Sequence, residues 1–178
     1  ADAGWDVLAW NFRGCGTESN RHLRFYHSGE TGDLSQLVEY AAQRYGTIVL
    51  VGFSLGGNIT LKYVGERQPP DAVKAAVGIS VPVDLAASAR ALDQRWSNRV
   101  YLRRFLTTLV LKIEAKAQRF PEELSTDGLR RIGSFQEFDD RYTAPLHGFR
   151  DARDYYRQAS SRYYLGGIRI PTLLIQEI

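Results

Sequence analysis

The run Thr47 to Phe53 (TIVLVGF) is apolar and rich in β-branched residues, and it leads straight into Gly52-Phe53-Ser54-Leu55-Gly56. A strand with no polar alternation is the kind that helices cover on both faces. Leu55 to Glu66 then carries helical periodicity and stops near Pro69-Pro70. Val73 to Val81 (VKAAVGISV) reads as a second buried strand, closed by Pro82. Strand, tight turn, helix and strand in this order imply a parallel sheet joined by right-handed crossovers.

The flanking segments extend the pattern. Trp5 to Phe12 (WDVLAWNF), closed by Arg13-Gly14-Cys15-Gly16, reads as another buried strand ending in a turn. From Asp33 the apolar positions Leu34, Leu37, Val38, Ala41 and Ala42 fall at helical spacing, with Thr31 or Asp33 available as the cap and Gly46 just past the end. The stretch from Asp84 to about Arg150 is far longer than an ordinary connection and helical in pattern, so it is an insertion. In it, Val100, Tyr101, Phe105, Leu109, Val110 and Ile113 are expected on one face of a long helix, with Arg103, Arg104, Lys112 and Lys116 largely on the other. Asp151 to Ser161 reads as a final helix. Ile170 to Ile178 (IPTLLIQEI) reads as one more buried strand, with Pro171 at its start, where a missing N–H is tolerated. A chain of 178 residues builds one core. The expectation is a single α/β domain, 1–178, with core 1–83 and 151–178 and a helical cap or insertion 84–150.

Composition narrows the partners. The chain is 44% hydrophobic and 24% charged, and it holds no run of ~18 apolar residues such as a membrane span requires. Its 23 basic and 20 acidic residues are scattered along the whole length, so no basic block marks a nucleic-acid surface. The one cysteine, Cys15, cannot form an internal disulfide, and a reducing cytoplasm is the expected location. The sequence has no Met, begins at Ala1 without a charged-then-apolar leader and stops at Ile178 inside an expected strand, which reads as a piece of something longer.

Gly-x-Ser-x-Gly gains its meaning from sitting between an apolar strand and a helix. A serine hydroxyl is a poor nucleophile unless a base takes its proton, and the base reaches it only if a sharp turn holds the side chain clear of the sheet. Ser54 is therefore the candidate nucleophile. The elbow glycines Gly52 and Gly56 lack the Cβ atoms that would block such a turn, and the helix that follows directs its N-terminus at a developing oxyanion. The Leu55 backbone N–H is the expected oxyanion donor.

Several stretches together extend the argument: Asn11-Phe12-Arg13-Gly14-Cys15, Tyr26-His27-Ser28-Gly29-Glu30-Thr31, Gly52 to Asn58, Phe138-Asp139-Asp140, Thr143 to Phe149, Tyr155-Tyr156 and Ile170-Pro171-Thr172-Leu173. In this order they resemble the YheT-like branch of the α/β-hydrolases, which includes the eukaryotic abhydrolase-domain lipases. The resemblance implies a partial α/β-hydrolase fold: a parallel sheet flanked by helices, with a helical cap between the last two strands present. It also implies that the oxyanion-loop strand precedes the first segment, that the catalytic Asp follows the strand at Leu173 to Ile178, and that the catalytic His comes later still. By this carry-over only Ser54 holds a triad position. The fragment would then be inactive alone, and its sheet would have an unfilled slot between the strands at Asp6 to Asn11 and Ile48 to Phe53.

Other residues carry two readings each. His147 is the one His after Ser54, an in-chain alternative for the base or a structural or lid residue. Asp84 follows a strand, as the acid does in some α/β-hydrolases, or caps the helix starting near Leu85. His22, His27 and Glu30 have loose metal-ligand spacing, but no second cluster completes a site, so no metal is expected. Asp139 and Asp140 read as structural, Cys15 as an inert buried thiol, and Asn11 and Arg13 as pocket braces or loop anchors. The insertion either lines a slot for an acyl chain or simply packs on the domain.

The reading is acyl transfer to water on a small-molecule ester or lipid-like substrate, by a carboxylic-ester hydrolase that needs no cofactor. A thioesterase or serine peptidase on the same scaffold is an alternative, as is a non-catalytic binding module that kept the elbow.

Overall fold

A computed structural model of the chain describes residues 4–18, 20–94 and 96–176, without the Ser97 side chain. In chain order the elements are α1 (Thr31–Ala42), β1 (Ile48–Phe53), α2 (Leu55–Glu66), β2 (Val73–Ile79), α3 (Leu85–Gln94), α4 (Arg99–Ala117), α5 (Phe135–Phe138), α6 (Ala144–Leu146), α7 (Ala152–Ala159) and β3 (Thr172–Ile175). The strands form one parallel sheet in the order β1-β2-β3. Phe53, Ile79 and Ile175 lie in register across it, so the three strands end at one level and Ser54 stands on that rim. Residues 177 and 178 of the expected last strand lie outside the described residues.

Helices α1 and α2 pack on one face of the sheet. Leu34 and Val38 of α1 and Ile59, Tyr63 and Val64 of α2 close over Leu50, Val73 and Ala76. The α1 cap is neither Thr31 nor Asp33. Glu30 accepts the Gly32 N–H at 3.2 Å, Thr31 donates its hydroxyl to Glu66, and Asp33 pairs with Arg13 at 2.5 Å. This makes Arg13 an anchor between its loop and α1. Strand β2 stops at Ile79, short of Val81, because Ser80 turns the backbone at φ +51°.

Three expectations of buried strands fail. Along β1, Leu50 and Gly52 face the helices, while Val49, Val51 and Phe53 point away and Phe53 is 65% exposed. β3 is exposed at every position, since no helix of the described residues packs closely on it. Trp5 to Phe12 forms no strand at all, and Val7 is 88% exposed. A lone extended segment gains no ladder hydrogen bonds, and no described strand lies beside it to supply them. Only its end is held, where Trp10 and Phe12 pack against the α1/α2 core and Phe12 stacks on Tyr26 at 5.2 Å.

The insertion has a core of its own, where Leu102, Leu106 and Ile113 of α4 meet Leu124, Leu129, Ile132, Phe138, Tyr142 and Phe25. The expected face of α4 is rotated. Val100, Tyr101 and Phe105 are exposed while Leu102 and Lys116 are buried. At 100° per residue, 102, 106, 109, 113 and 116 form one stripe, and the expected face, which took in Val100, Tyr101 and Phe105 and left out Leu102 and Leu106, departed from that spacing. Lys116 is tolerated inside because its Nζ donates to the carbonyls of Asn20, at 3.0 Å, and His22, and its burial lowers its pKa.

Candidate active site

Ser54 sits between β1 and α2 at φ +48°, ψ −118°. That conformation costs a residue with a Cβ on the order of 1–3 kcal/mol and persists only where its surroundings fix it. Here they do. The Ser54 N–H donates to Ile79 O at 2.8 Å, its carbonyl accepts the Asn58 N–H at 3.1 Å, and the hydroxyl makes no capping bond to the helix. The exposed Ser54 side chain is thus held above the sheet rim at the start of α2, whose first-turn N–H groups, Leu55 among them, have no intrahelical acceptor.

The steric demand for glycine differs in part from expectation. A Cβ on Gly52 would lie 2.5 Å from Gly56 O, and one on Gly57 would lie 2.4 Å from Val81 Cγ2 and 2.9 Å from Gly52 O. At Gly56 the nearest such atom is Phe12 Cζ at 3.9 Å, so this position has room for a side chain. The close approach of helix to strand therefore falls on Gly52 and Gly57.

One turn along α2, the fully buried Asn58 gives its two Nδ2 protons to Ser28 O (2.7 Å) and Ala159 O (2.8 Å) and accepts the Ser161 N–H (2.8 Å). It joins three chain segments to the helix that carries Ser54. Ser28 is fixed again by Tyr155, whose hydroxyl donates to Ser28 Oγ at 2.6 Å and accepts the Ser28 N–H at 2.9 Å. Sequence reasoning assigned no role to Asn58, Ser28 or Tyr155; their only signal was membership in the quoted motif stretches.

Ser54 and Leu55 line a cavity of about 270 Å³ whose wall is mostly apolar, including Phe25, Leu85, Leu92, Phe105, Leu109 and Phe135. Its volume lies near the lower end of the ~300–1,000 Å³ usual for small-molecule sites. α3 and α4 of the insertion supply much of this wall. Asp139 also reaches it, whereas Asp140 is exposed and accepts the Ala152 N–H at 2.7 Å.

Of the remaining candidates, His27 also lines this cavity, and Asp84, Cys15 and His147 lie elsewhere. Asp84 caps α3 through the Ala87 N–H at 3.0 Å and pairs with Arg162; these contacts, the Ala87 bond first, lower its pKa. Cys15 is exposed, with Lys112 Nζ 2.9 Å from its Sγ, so the expected burial of the thiol does not hold. Among the described residues no group of three or more His, Cys, Asp or Glu is placed to hold a metal ion.

His147 is not on the cavity wall beside Ser54. Its ring packs 4.7 Å from that of His27 and 5.6 Å from Phe25, and its two buried ring nitrogens meet no hydrogen-bond partner among the described residues. Burial is the first cause that pushes both histidines down to about 4; Lys62 and Arg24 add to it at His27, and the neighbouring His27 adds to it at His147, against Glu30. Between the ordinary 6.5 and about 4 the unfolded chain binds protons that the folded chain refuses, so stability rises with pH in that window and falls on acidification. Asp139 opposes this: burial raises it from 3.8 to about 6, so the folded chain holds that proton more tightly. His147→Phe removes two orphaned nitrogens and is expected to lose less stability than wild type between about pH 7 and about pH 5 in urea melts. Asp139 is common to both proteins, so the difference isolates His147. Equal losses would show that His147 does not titrate with folding.

A strained serine at the mouth of a parallel strand, backed by a helix N-terminus and opening on an apolar cavity, is the arrangement of an α/β-hydrolase. The chain belongs to the α/β-hydrolase fold family, whose model matches residues 1–177. It is 38% identical over 176 residues to the Escherichia coli (strain K12) protein named "Putative esterase YheT", covering 97% of this chain and 52% of that one. It is 30% identical to mouse (Mus musculus) phospholipase ABHD3, covering 98% of this chain and 43% of the relative. It is 27% identical to the monoacylglycerol lipase of Saccharomyces cerevisiae (strain ATCC 204508 / S288c), covering 96% and 40%. These relatives place it on the YheT-like branch, and the chain spans about half their length or less. No solved structure matches the chain significantly. Among the described residues no helix is long and apolar enough to cross a membrane.

Proposed function

We propose that the protein is a serine hydrolase of carboxylic esters. Ser54 Oγ attacks the ester carbonyl, the Leu55 N–H and a second donor hold the oxyanion, and a His takes the serine proton and returns it to the leaving alcohol. Water then releases the acid. In this fold the nucleophile is followed by the acid and then the His; Asp84 and His147 follow Ser54 in that order, but Asp84 caps α3 and pairs with Arg162, and neither it nor His147 lies on the cavity wall with Ser54. The base and acid are therefore assigned beyond β3. The substrate reading is a small ester or lipid-like molecule whose chain occupies the cavity, with the insertion 84–150 as a cap on the core 1–83 and 151–178. The single Cys15 suits a reducing cytoplasm.

The observation that carries this reading is Ser54 itself, at positive φ on the sheet rim and on the wall of an apolar cavity. The test is to treat the full-length protein with a fluorophosphonate probe and to measure hydrolysis of p-nitrophenyl esters of increasing acyl length beside matched thioesters and aminoacyl amides. Labelling at Ser54 with fastest turnover of the esters is expected. Labelling with preference for thioesters or amides would replace the ester assignment. No labelling and no turnover would leave a binding protein.

A further inference from the structure

The cavity beside Ser54 is apolar along most of its wall, and Asp139 interrupts it. Asp139 and Thr143 are the two ends of a π-helical turn, Asp139–Thr143, that joins α5 to α6. Such turns are rare and concentrate at functional sites. Tyr156, from α7, donates its hydroxyl to Asp139 Oδ2 at 2.7 Å, and Thr143 closes the turn that carries the carboxylate. All three side chains line the cavity.

A carboxylate on an apolar wall is costly unless its oxygens are used. Asp139 makes no salt bridge among the described residues. Of roughly four acceptor positions on a carboxylate, Tyr156 fills one, and the residue keeps some accessible surface on the cavity. Burial and the nearby Asp140 and Asp93 hold its pKa up to about 6, so a neutral partner that can both donate and accept suits it better than an ammonium brought into an apolar space.

We propose that Asp139, with Tyr156 and Thr143, forms a hydroxyl-recognising subsite in this cavity and makes the enzyme select esters that carry a neutral hydroxyl on the chain seated there. The word "select" rests on the hydrolase reading; the subsite needs no reaction at Ser54. The probes are therefore hexan-1-ol and 1-fluorohexane, nearly equal in shape, titrated into the protein and into its Ser54→Ala variant. Both proteins are expected to bind the alcohol about 3- to 10-fold more tightly, the range of one neutral hydrogen bond. Asp139→Leu is expected to abolish that preference while still binding 1-fluorohexane, which shows that fold and cavity survive; Asp139→Asn is expected to keep part of it. Equal binding of the two probes by wild type, or an undiminished preference in Asp139→Leu, would overturn the subsite. A preference that persists where fluorophosphonate fails to label Ser54 would overturn the hydrolase reading and leave the subsite standing.

Discussion

Ser54→Ala is expected to lower kcat/KM for ester hydrolysis by on the order of 10⁴–10⁶-fold, the loss that follows removal of a triad nucleophile, while the Tm stays within about 2 °C of wild type. The two halves of this expectation come from the same local geometry. The hydroxyl is exposed and makes no capping bond, so no hydrogen bond to the rest of the fold is lost with it. The strain at φ +48° arises from a Cβ, which alanine keeps, so nothing is relieved either. The loss should fall on kcat, because Phe105, Leu109 and the other apolar wall residues that would seat the chain are untouched. The measurement pairs steady-state kinetics on the best p-nitrophenyl ester with a thermal melt of each protein. A variant that keeps even a tenth of wild-type kcat would remove Ser54 from the chemistry.

The site and the fold were legible to different depths. The elbow could be read because its chemistry is local: one apolar strand, three fixed positions and one helix decide where a serine hydroxyl goes, and α2 runs over Leu55–Glu66 as the pattern of apolar positions predicts. The partners of that elbow are not local. Asn58 meets Ser28, Ala159 and Ser161, which lie 30, 101 and 103 positions away in the chain, and no periodicity encodes such a convergence. Burial was misread wherever it depends on a neighbour. Val49, Val51 and Phe53 have the composition of a two-sided core strand, yet one side of β1 has no helix over it. In the same way Trp5 to Phe12 has strand composition and no strand beside it. Asp139 was read as structural because its position on the insertion, away from any strand end, hid the turn that carries it to the cavity wall. Gly56 shows the limit of the motif itself, since the pattern marks it as obligatory and the contacts place that demand on Gly57.

Asn58→Ala tests the convergence directly. Truncation leaves three polar groups without their partner in the protein: Ser28 O, Ala159 O and the Ser161 N–H. Each unsatisfied buried group costs about 1–3 kcal/mol, and partial relaxation brings the expected total to about 3–5 kcal/mol. For a chain of this size that is a fall in Tm of roughly 6–20 °C. The damage should reach chemistry as well, because Ser28 lines the cavity and Asn58 sits one turn from Ser54. Tyr155→Phe, which removes a hydroxyl bonded only to Ser28 among the described contacts, is the milder control and is expected to cost about 1–2 kcal/mol. Urea melts of the two variants separate the cases. A large loss at Asn58 with a small one at Tyr155 fits a joint that holds three segments onto the elbow helix. A loss at Asn58 no larger than that at Tyr155 would mean that apolar packing alone holds those segments in place, and the strain at Ser54 would then need another support.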